Sequence, residues 1–312
     1  MEAVAVAATD VGLRIRGPGR CEIDVGPRTY ALTAEPDAVR QLADVLTQVV
    51  PTIRRSAPVR RQLSPDDARR LEPFVKRFRD MGILLFPGEE VRLDDEPGRR
   101  LYSYICRRSE DPDRIFAGLR EKCIAVSGPE EVVSVWSPLL AEQGLSVTEH
   151  GRDITEYGPG PSAPSPSGSD PALRIVVACD EAGLAAANRQ LCAEATDWVP
   201  VLFGAQRVRI GPWVRVGESG CLRCHLPARP TRQAFRPAGW ATFQPGCLHW
   251  AGGLVAHLAL RSLLPMSAEH AWGRVTTLDV SSGEQSSVTT WRDPFCPDCA
   301  AHAPAAREWV AP

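Results

Sequence analysis

The chain has 312 residues, enough for one large domain or two moderate ones with a sizeable core. It is 44% hydrophobic and 24% charged with a formal net charge of −2, so whole-chain charge does not indicate nucleic-acid or membrane binding. The sequence lacks a run of about 18 apolar residues that would span a bilayer, and its N-terminus lacks the regions of a signal peptide. We therefore expect a cytoplasmic protein.

Residues 1–91 are predicted to form one small domain. Glycine and proline separate three short apolar runs, VGLRIRG, RCEIDVG and RTYALTA, which predicts three strands. A helix is expected after Glu35, and Ser64-Pro65 predicts the start of a helical stretch that Pro73 divides in two. ILLF and EVRL are expected to form a last short hairpin. Three strands followed by three helices are a winged-helix type of arrangement.

Residues 92–122 read as a charged connector without a clear assignment. Residues 123–312 are predicted to form an α/β domain whose apolar strands suit a parallel sheet covered on both faces. A loop rich in Pro and Ser is expected at 158–172. The predicted strands are KCIAVSG, LSVTEH, LRIVVACD, WVPVLFGAQ and RVRIGPWVRVG, the helices are PEEVVSVWSPLLAEQG, EAGLAAANRQLCAEA and GCLHWAGGLVAHLALRSLL, and the final hairpin is GRVTTLDVSSGEQSSVTTWRD.

Two Cys-x-x-Cys pairs carry the strongest chemical signal in the sequence. CLRCH supplies Cys221 and Cys224, and FCPDCA supplies Cys296 and Cys299. Two such pairs can complete a tetrahedral four-sulfur zinc site, which would stabilise the fold and leave no open position for catalysis. Neither pair is expected to open a helix directly after a strand, as a redox pair would, but a redox role and a metal-free role remain as alternatives.

The other thiols and the flanking histidines are read as structural. The isolated cysteines lie mostly in apolar runs, as small buried hydrophobes do. His225 and His302 are interpreted as loop histidines and not as metal ligands. The isolated cysteines are Cys21, Cys106, Cys123, Cys179, Cys192 and Cys247.

The order of elements after residue 120 resembles the ThiF/MoeB superfamily of adenylating enzymes. The matching parts are the strand LRIVVACD, the helix with ANRQLC, the strand VPVLFGAQRVRIGPWV, the turn GCLRC and the final CPDC. The resemblance implies a Rossmann-like fold, and the superfamily often forms homodimers. The family binds ATP phosphates with a GxGxxG loop, because glycines let backbone N–H groups approach the phosphates. Here that loop reads SGPEEV, with two acids, so the domain is read as degenerate and ATP binding is not expected.

Together with the N-terminal unit, the pattern resembles the ocin-ThiF-like partner proteins of azol(in)e-forming peptide biosynthesis. Residues 1–91 would then be a RiPP recognition element, in which the leader peptide of a ribosomal precursor adds as a strand beside the third strand. The resemblance implies a non-catalytic adaptor that presents the precursor to, and activates, a separate ATP-dependent YcaO-family cyclodehydratase forming thiazolines and oxazolines. The groove candidates on the third strand and third helix are Arg28, Tyr30, Leu32, Phe74, Arg77 and Phe78.

Two other functions remain open from the sequence. An active adenylating enzyme acting on a peptide or carrier-protein C-terminus would need a phosphate loop and usually a nucleophilic thiol, for which Cys247 at a helix start is the best candidate. A winged-helix DNA-binding regulator would use the basic stretch IRRSAPVRRQ, but the helical stretch that follows carries Glu72 and Asp80 among its bases and is not a strongly basic recognition helix.

Overall fold

The computed structural model describes residues 4–7, 11–25, 28–37, 39–40, 61–62, 77–150, 171–226, 245–265 and 270–302. The chain divides into two units, Met1–Gly118 and Leu119–Pro312. Among the described residues, no helix is both long and apolar enough to cross a lipid bilayer.

The first unit contains an antiparallel meander of three strands, β2 (Val11–Gly17), β3 (Arg20–Val25) and β4 (Arg28–Thr33), in that spatial order. The sequence predicted all three strands. Alternation explains the burial of β3: its apolar residues are at most 4% exposed, while Glu22 and Asp24 face the other way among arginines. The turn between β2 and β3 needs Gly19, since its φ is +73° and a Cβ there would lie 2.5 Å from the Ala34 carbonyl oxygen.

A second small sheet in this unit was not predicted. Strand β1 (Val4–Ala7) lies between β5 (Arg61–Gln62) and β6 (Leu84–Leu85) and is antiparallel to both. The expected hairpin of ILLF with EVRL is therefore wrong: β6 pairs with β1, and residues 91–94 are not a strand. Val91 and Leu93 are buried but do not belong to a strand. Their apolar side chains therefore indicate burial, and not the strand that the sequence predicted.

Residues 96–120, which had no assignment from the sequence, form two helices. Helix α1 (Glu96–Cys106) begins at Asp95, whose carboxylate accepts from the Gly98 N–H, and α2 (Pro112–Arg120) follows. The buried Tyr102 hydroxyl donates to Asp113 at 2.5 Å, and the other Asp113 oxygen accepts from the Gly88 N–H at 3.0 Å. One carboxylate therefore joins both helices to the turn around residue 88.

The second unit is built on a seven-stranded sheet. Its parallel half runs β8 (Ser146–His150), β7 (Cys123–Ser127), β9 (Leu173–Ala178) and β10 (Trp198–Phe203). Its antiparallel half continues with β11 (Arg207–Ile210), β12 (Arg274–Asp279) and β13 (Gln285–Thr289). All six residues of β10 are buried, as expected for a strand with both faces covered.

The helices of this unit are α3 (Glu130–Ala141), α4 (Glu181–Ala193), the one-turn α5 (Leu222–His225) and α6 (Pro245–Leu263). Helix α3 packs against α6, where the Trp136 indole N–H donates to the Leu248 carbonyl oxygen at 2.9 Å. In this sheet β7 lies between β8 and β9, so the connection from β7 to β8 and the connection from β8 to β9 lead to opposite sides of β7. This is the topological switch point at which open α/β sheets usually bind ligands.

Candidate functional site

The four cysteines of the two Cys-x-x-Cys pairs lie together in the second unit. The Sγ–Sγ distances are 3.7 Å for Cys221–Cys224, 3.6 Å for Cys221–Cys296 and 3.6 Å for Cys224–Cys299, and all four sulfurs lie within 4.8 Å of one another. These distances are too long for disulfides, whose sulfurs are about 2.05 Å apart. They match the edges, about 3.8 Å, of a tetrahedron of sulfurs around zinc with Zn–S bonds of about 2.3 Å.

Two short turns hold the cysteines. Cys221 is the N-cap of α5, which contains Cys224, and the pair follows the loop after β11. We expected neither pair to open a helix directly after a strand; in the structure the first pair begins a single helical turn, and no strand directly precedes it. Cys296 and Cys299 follow β13 and lead into a 3₁₀ turn at Ala300–His302. The arrangement brings two segments of the chain to one point.

The chemistry of the donor set fits a closed metal site. A hydrogen bond with the Cys192 thiol and burial both raise the pKa of Cys221, and burial raises that of Cys299, so without a cation these thiols are protonated at neutral pH. A divalent cation would favour the thiolates and release their protons. The cluster packs against buried apolar residues of the sheet and α4, including Trp198 and Leu191. Four thiolates would fill the sphere of Zn²⁺ and leave no place for a reactive water.

The two histidines beside the pairs have other surroundings. His225 Nδ1 lies 3.0 Å from Thr290 Oγ1, and burial lowers the pKa of its imidazole, with a smaller effect from Arg209. His302 donates its backbone N–H to the Cys299 carbonyl oxygen at 3.3 Å. Among the described residues, the group with metal-ligand geometry consists of the four cysteines.

Sequence reasoning missed the residues that support these turns. The Arg292 guanidinium donates to the carbonyl oxygens of Cys299 at 3.0 Å and Gly217 at 3.3 Å. Asn188, on α4, bonds to both Cys-x-x-Cys segments. An asparagine on an otherwise apolar helix face could have indicated from the sequence that Asn188 has a structural role. The partners of Arg292 are distant in sequence, so no local pattern indicates its role.

The third predicted strand, now β4, lies at the edge of its sheet. Within the described residues it pairs with β3 and with no other strand. Arg28, Tyr30 and Leu32 stand opposite the buried Val25, Ile23 and Cys21, so they share the face that is turned to the core. Tyr30 and Leu32 are half-buried and Arg28 is exposed.

The predicted helix residues are placed differently from one another. Residues 77–80 are helical, Arg77 is exposed, and Phe78 is 2% exposed, so Phe78 packs inside the unit and offers little surface to a peptide. Phe74 lies outside the described residues, as do most of the helix predicted after Glu35 and most of the helical stretch predicted after Ser64.

Carboxylates surround the switch point of the parallel sheet. Glu130 and Glu131 occupy the first turn of α3, whose N-cap Pro129 makes no side-chain hydrogen bond to the helix. Asp180 caps α4 by accepting from the Gly183 N–H at 2.7 Å, and Glu181 pairs with Arg209 at 2.9 Å. The positive ends of both helix dipoles therefore face this chain's own acids, which would repel a phosphate.

The thiol considered as a nucleophile is buried. Cys247 lies in the first turn of α6, is 5% exposed, and has its pKa raised by burial. A reactive cysteine needs the opposite, namely access to solvent and a lowered pKa. The start of a helix by itself favours a reactive thiolate, but burial has the larger effect on Cys247.

Comparison with known proteins shows similarity of structure only. No family model matches the sequence, and no curated protein is similar to it at a significant level. A heterocyclase solved with its substrate and cofactor matches 95% of this chain with a TM-score of 0.59 and 16% identity, and the heterocyclase TruD matches 95% with a TM-score of 0.56 and 18% identity. MccB from E. coli, solved with MccA-N7isoASN, matches 95% with a TM-score of 0.54 and 12% identity.

This chain shares its fold with the heterocyclases and MccB. The chain spans 39% and 43% of the length of the two heterocyclases and 99% of the length of MccB.

Proposed function

We propose that this chain binds the leader segment of a ribosomally made precursor peptide and presents it to a separate YcaO-family cyclodehydratase, which forms thiazoline and oxazoline rings with ATP. The observation that carries the proposal is the edge of β4, with which no described strand pairs, in a chain that shares its fold with part of the heterocyclases. An unpaired edge offers backbone donors and acceptors to an added strand, and the alternating Tyr30 and Leu32 would provide side-chain contacts.

The surroundings of the switch point support an adaptor over an adenylating enzyme. MccB has been solved with ATP, and this chain covers nearly all of MccB, so an adenylating function is the second candidate. The carboxylates of α3 and α4 oppose it, because ATP needs donors for its phosphates, and the burial of Cys247 leaves out the accessible thiol that such enzymes usually have.

The four cysteines are proposed to hold a structural Zn²⁺. The ion would join the turn after β11 to the turn after β13 and stabilise the second unit without taking part in a reaction. A homodimer, a cytoplasmic location and independence from nucleic acid remain predictions of the sequence and the resemblance.

The test is calorimetric titration of the purified chain with a synthetic leader peptide and, separately, with ATP–Mg²⁺. We expect micromolar or tighter peptide binding, about −8 kcal/mol or better, and no heat with ATP. Tyr30→Ala should weaken peptide binding about tenfold, about 1.4 kcal/mol. Thr33→Ala, on the opposite face of the same strand, is the matched control and should bind as the unmodified chain does.

ATP binding without peptide binding would overturn the adaptor proposal in favour of the adenylating enzyme. Peptide binding that Tyr30→Ala leaves unchanged would place the peptide elsewhere than β4.

A further inference from the structure

Asn188 is a buried polar residue on an apolar helix face. It lies in the middle of α4, is 1% exposed, and shares its face with Leu184 and Leu191, which are 0% exposed. A buried amide without hydrogen bonds destabilises a fold by about 1–3 kcal/mol. Its presence here therefore depends on the partners that it finds.

Those partners lie in both Cys-x-x-Cys segments. The Asn188 carbonyl oxygen accepts from the Leu222 N–H at 3.0 Å, inside the first pair. Its amide nitrogen donates to Asp298 Oδ2 at 2.6 Å, inside the second pair, and lies 3.6 Å from Cys221 Sγ. One side chain thus bonds to two turns whose cysteines are 75 residues apart in sequence.

The bonding pattern needs both ends of an amide. An aspartate could accept from Leu222 but would place a second carboxylate against Asp298 and the Cys221 sulfur. An alanine would leave the Leu222 N–H and the Asp298 carboxylate without this partner. Asparagine is the one natural side chain of this length that offers a donor and an acceptor together.

Charge gives the amide a second role. Four thiolates around a divalent cation carry a net charge of −2, and Asp298 adds a further negative charge nearby. N–H groups directed at the sulfurs reduce this repulsion, and the structure provides two, from Asn188 to Cys221 Sγ and from the Asp293 backbone to Cys224 Sγ at 3.4 Å.

We infer that Asn188 is a positioning residue of the four-cysteine metal site: it holds the two turns in register and donates to a ligand sulfur, so that the ion meets a formed site. The inference rests on the proposed metal site. Groups that orient metal ligands in this way change metal affinity about 10- to 100-fold when they are removed.

The experiment measures Zn²⁺ and Co²⁺ affinity of the full chain by competition with a chromophoric chelator. Asn188→Ala and Asn188→Asp should each lower the affinity about 10- to 100-fold, and the visible d–d bands of bound Co²⁺ should shift because the sulfur tetrahedron is distorted. Gln206→Glu, an amide-to-acid change at an exposed turn, is the control and should leave both readouts unchanged.

Asp298→Ala removes the hydrogen-bond partner of the Asn188 amide at a half-buried loop position. It provides a second test in case the Asn188 variants misfold. It should lower the affinity about tenfold, and an unchanged affinity would overturn the bridging role. If the unmodified chain binds neither ion, the metal site itself fails and the inference with it. If the unmodified chain binds tightly and the Asn188 variants keep its affinity and cobalt spectrum, the inference alone is wrong.

Discussion

Trp136 and Gly252 meet where α3 packs against α6. A Cβ built on Gly252 would lie 2.6 Å from the Trp136 Cδ1 and 2.9 Å from the Leu139 Cδ1, closer than packed carbon atoms can come. Trp136 is 1% exposed and bonded to the Leu248 carbonyl oxygen, so it cannot move aside without losing that bond.

We therefore expect Gly252→Ala to destabilise the protein by about 1–3 kcal/mol, the usual range for overpacking. The neighbouring Gly253 has open space around its Cα, so Gly253→Ala should instead stabilise α6 by up to about 1 kcal/mol through helix propensity. Urea unfolding of both variants checks the pair. Equal effects of the two alanines would contradict the packing of α3 on α6.

Asp197 is expected to change the free energy of unfolding with pH in the direction opposite to that of most carboxylates. Burial raises its pKa, although the Val216 N–H donates to Oδ1 at 3.0 Å and Arg215 lies near. The folded state therefore binds this proton more tightly than the unfolded chain, whose Asp pKa is about 3.9. The contribution of this carboxyl to stability is largest at acidic pH and falls as the pH rises through its folded pKa.

Asp197→Asn keeps an acceptor for Val216 and has no charge to bury. We expect this variant to be more stable than the unmodified chain at pH 7, with the difference shrinking toward about pH 4. Urea unfolding across this range measures it. Asp94→Asn, at an exposed position, is the control and should show no comparable trend, and an Asp197→Asn variant that is less stable at pH 7 would contradict the assignment.

At the scale of elements, alternation and apolar runs predicted the three strands of the meander, the parallel strands and α3, α4 and α6. The short strands β1, β5 and β6 were missed because two to four residues carry too little pattern. Helices α1 and α2 were missed because many of their charged residues, such as Arg100 and Arg114, only pair along the exposed face.

The four cysteines of the cluster were predictable from the sequence, but the residues that support them were not. The Cys-x-x-Cys spacing names four thiols by itself, but Asn188 and Arg292 reach residues that only the fold brings near. The same limit applies to the proposed peptide-binding residues: the sequence predicted the strand that carries Tyr30 and Leu32, but the burial of Phe78 depends on packing that no local pattern contains.

Removing the metal should affect the turns around the cysteines more than the parallel sheet. Linkage predicts a stabilisation of about 4 kcal/mol when free zinc is a thousandfold above its Kd, and a chelator should remove it. Hydrogen exchange should then accelerate at 221–226 and 293–302 while β7, β9 and β10 stay protected. The chelator effect should disappear in Cys296→Ser and persist in Cys123→Ser, and exchange that a chelator leaves unchanged would contradict the zinc proposal.

At the scale of the whole molecule, each unit contains a sheet whose last strand pairs with a single neighbour among the described residues. The second unit ends at β13, which within the described part of the chain pairs only with β12 and whose five residues are all exposed. Its sequence, QSSVT, carries no charge and no proline, and Val288 is 56% exposed.

Such an edge is a template for sheet extension between molecules, since unpaired N–H and C=O groups accept any compatible strand. A net charge of −2 over 312 residues gives little mutual repulsion to oppose this. Edge-to-edge contact is bimolecular, so it grows steeply with concentration. We therefore expect β13 to be a site at which molecules of this protein associate in concentrated solution.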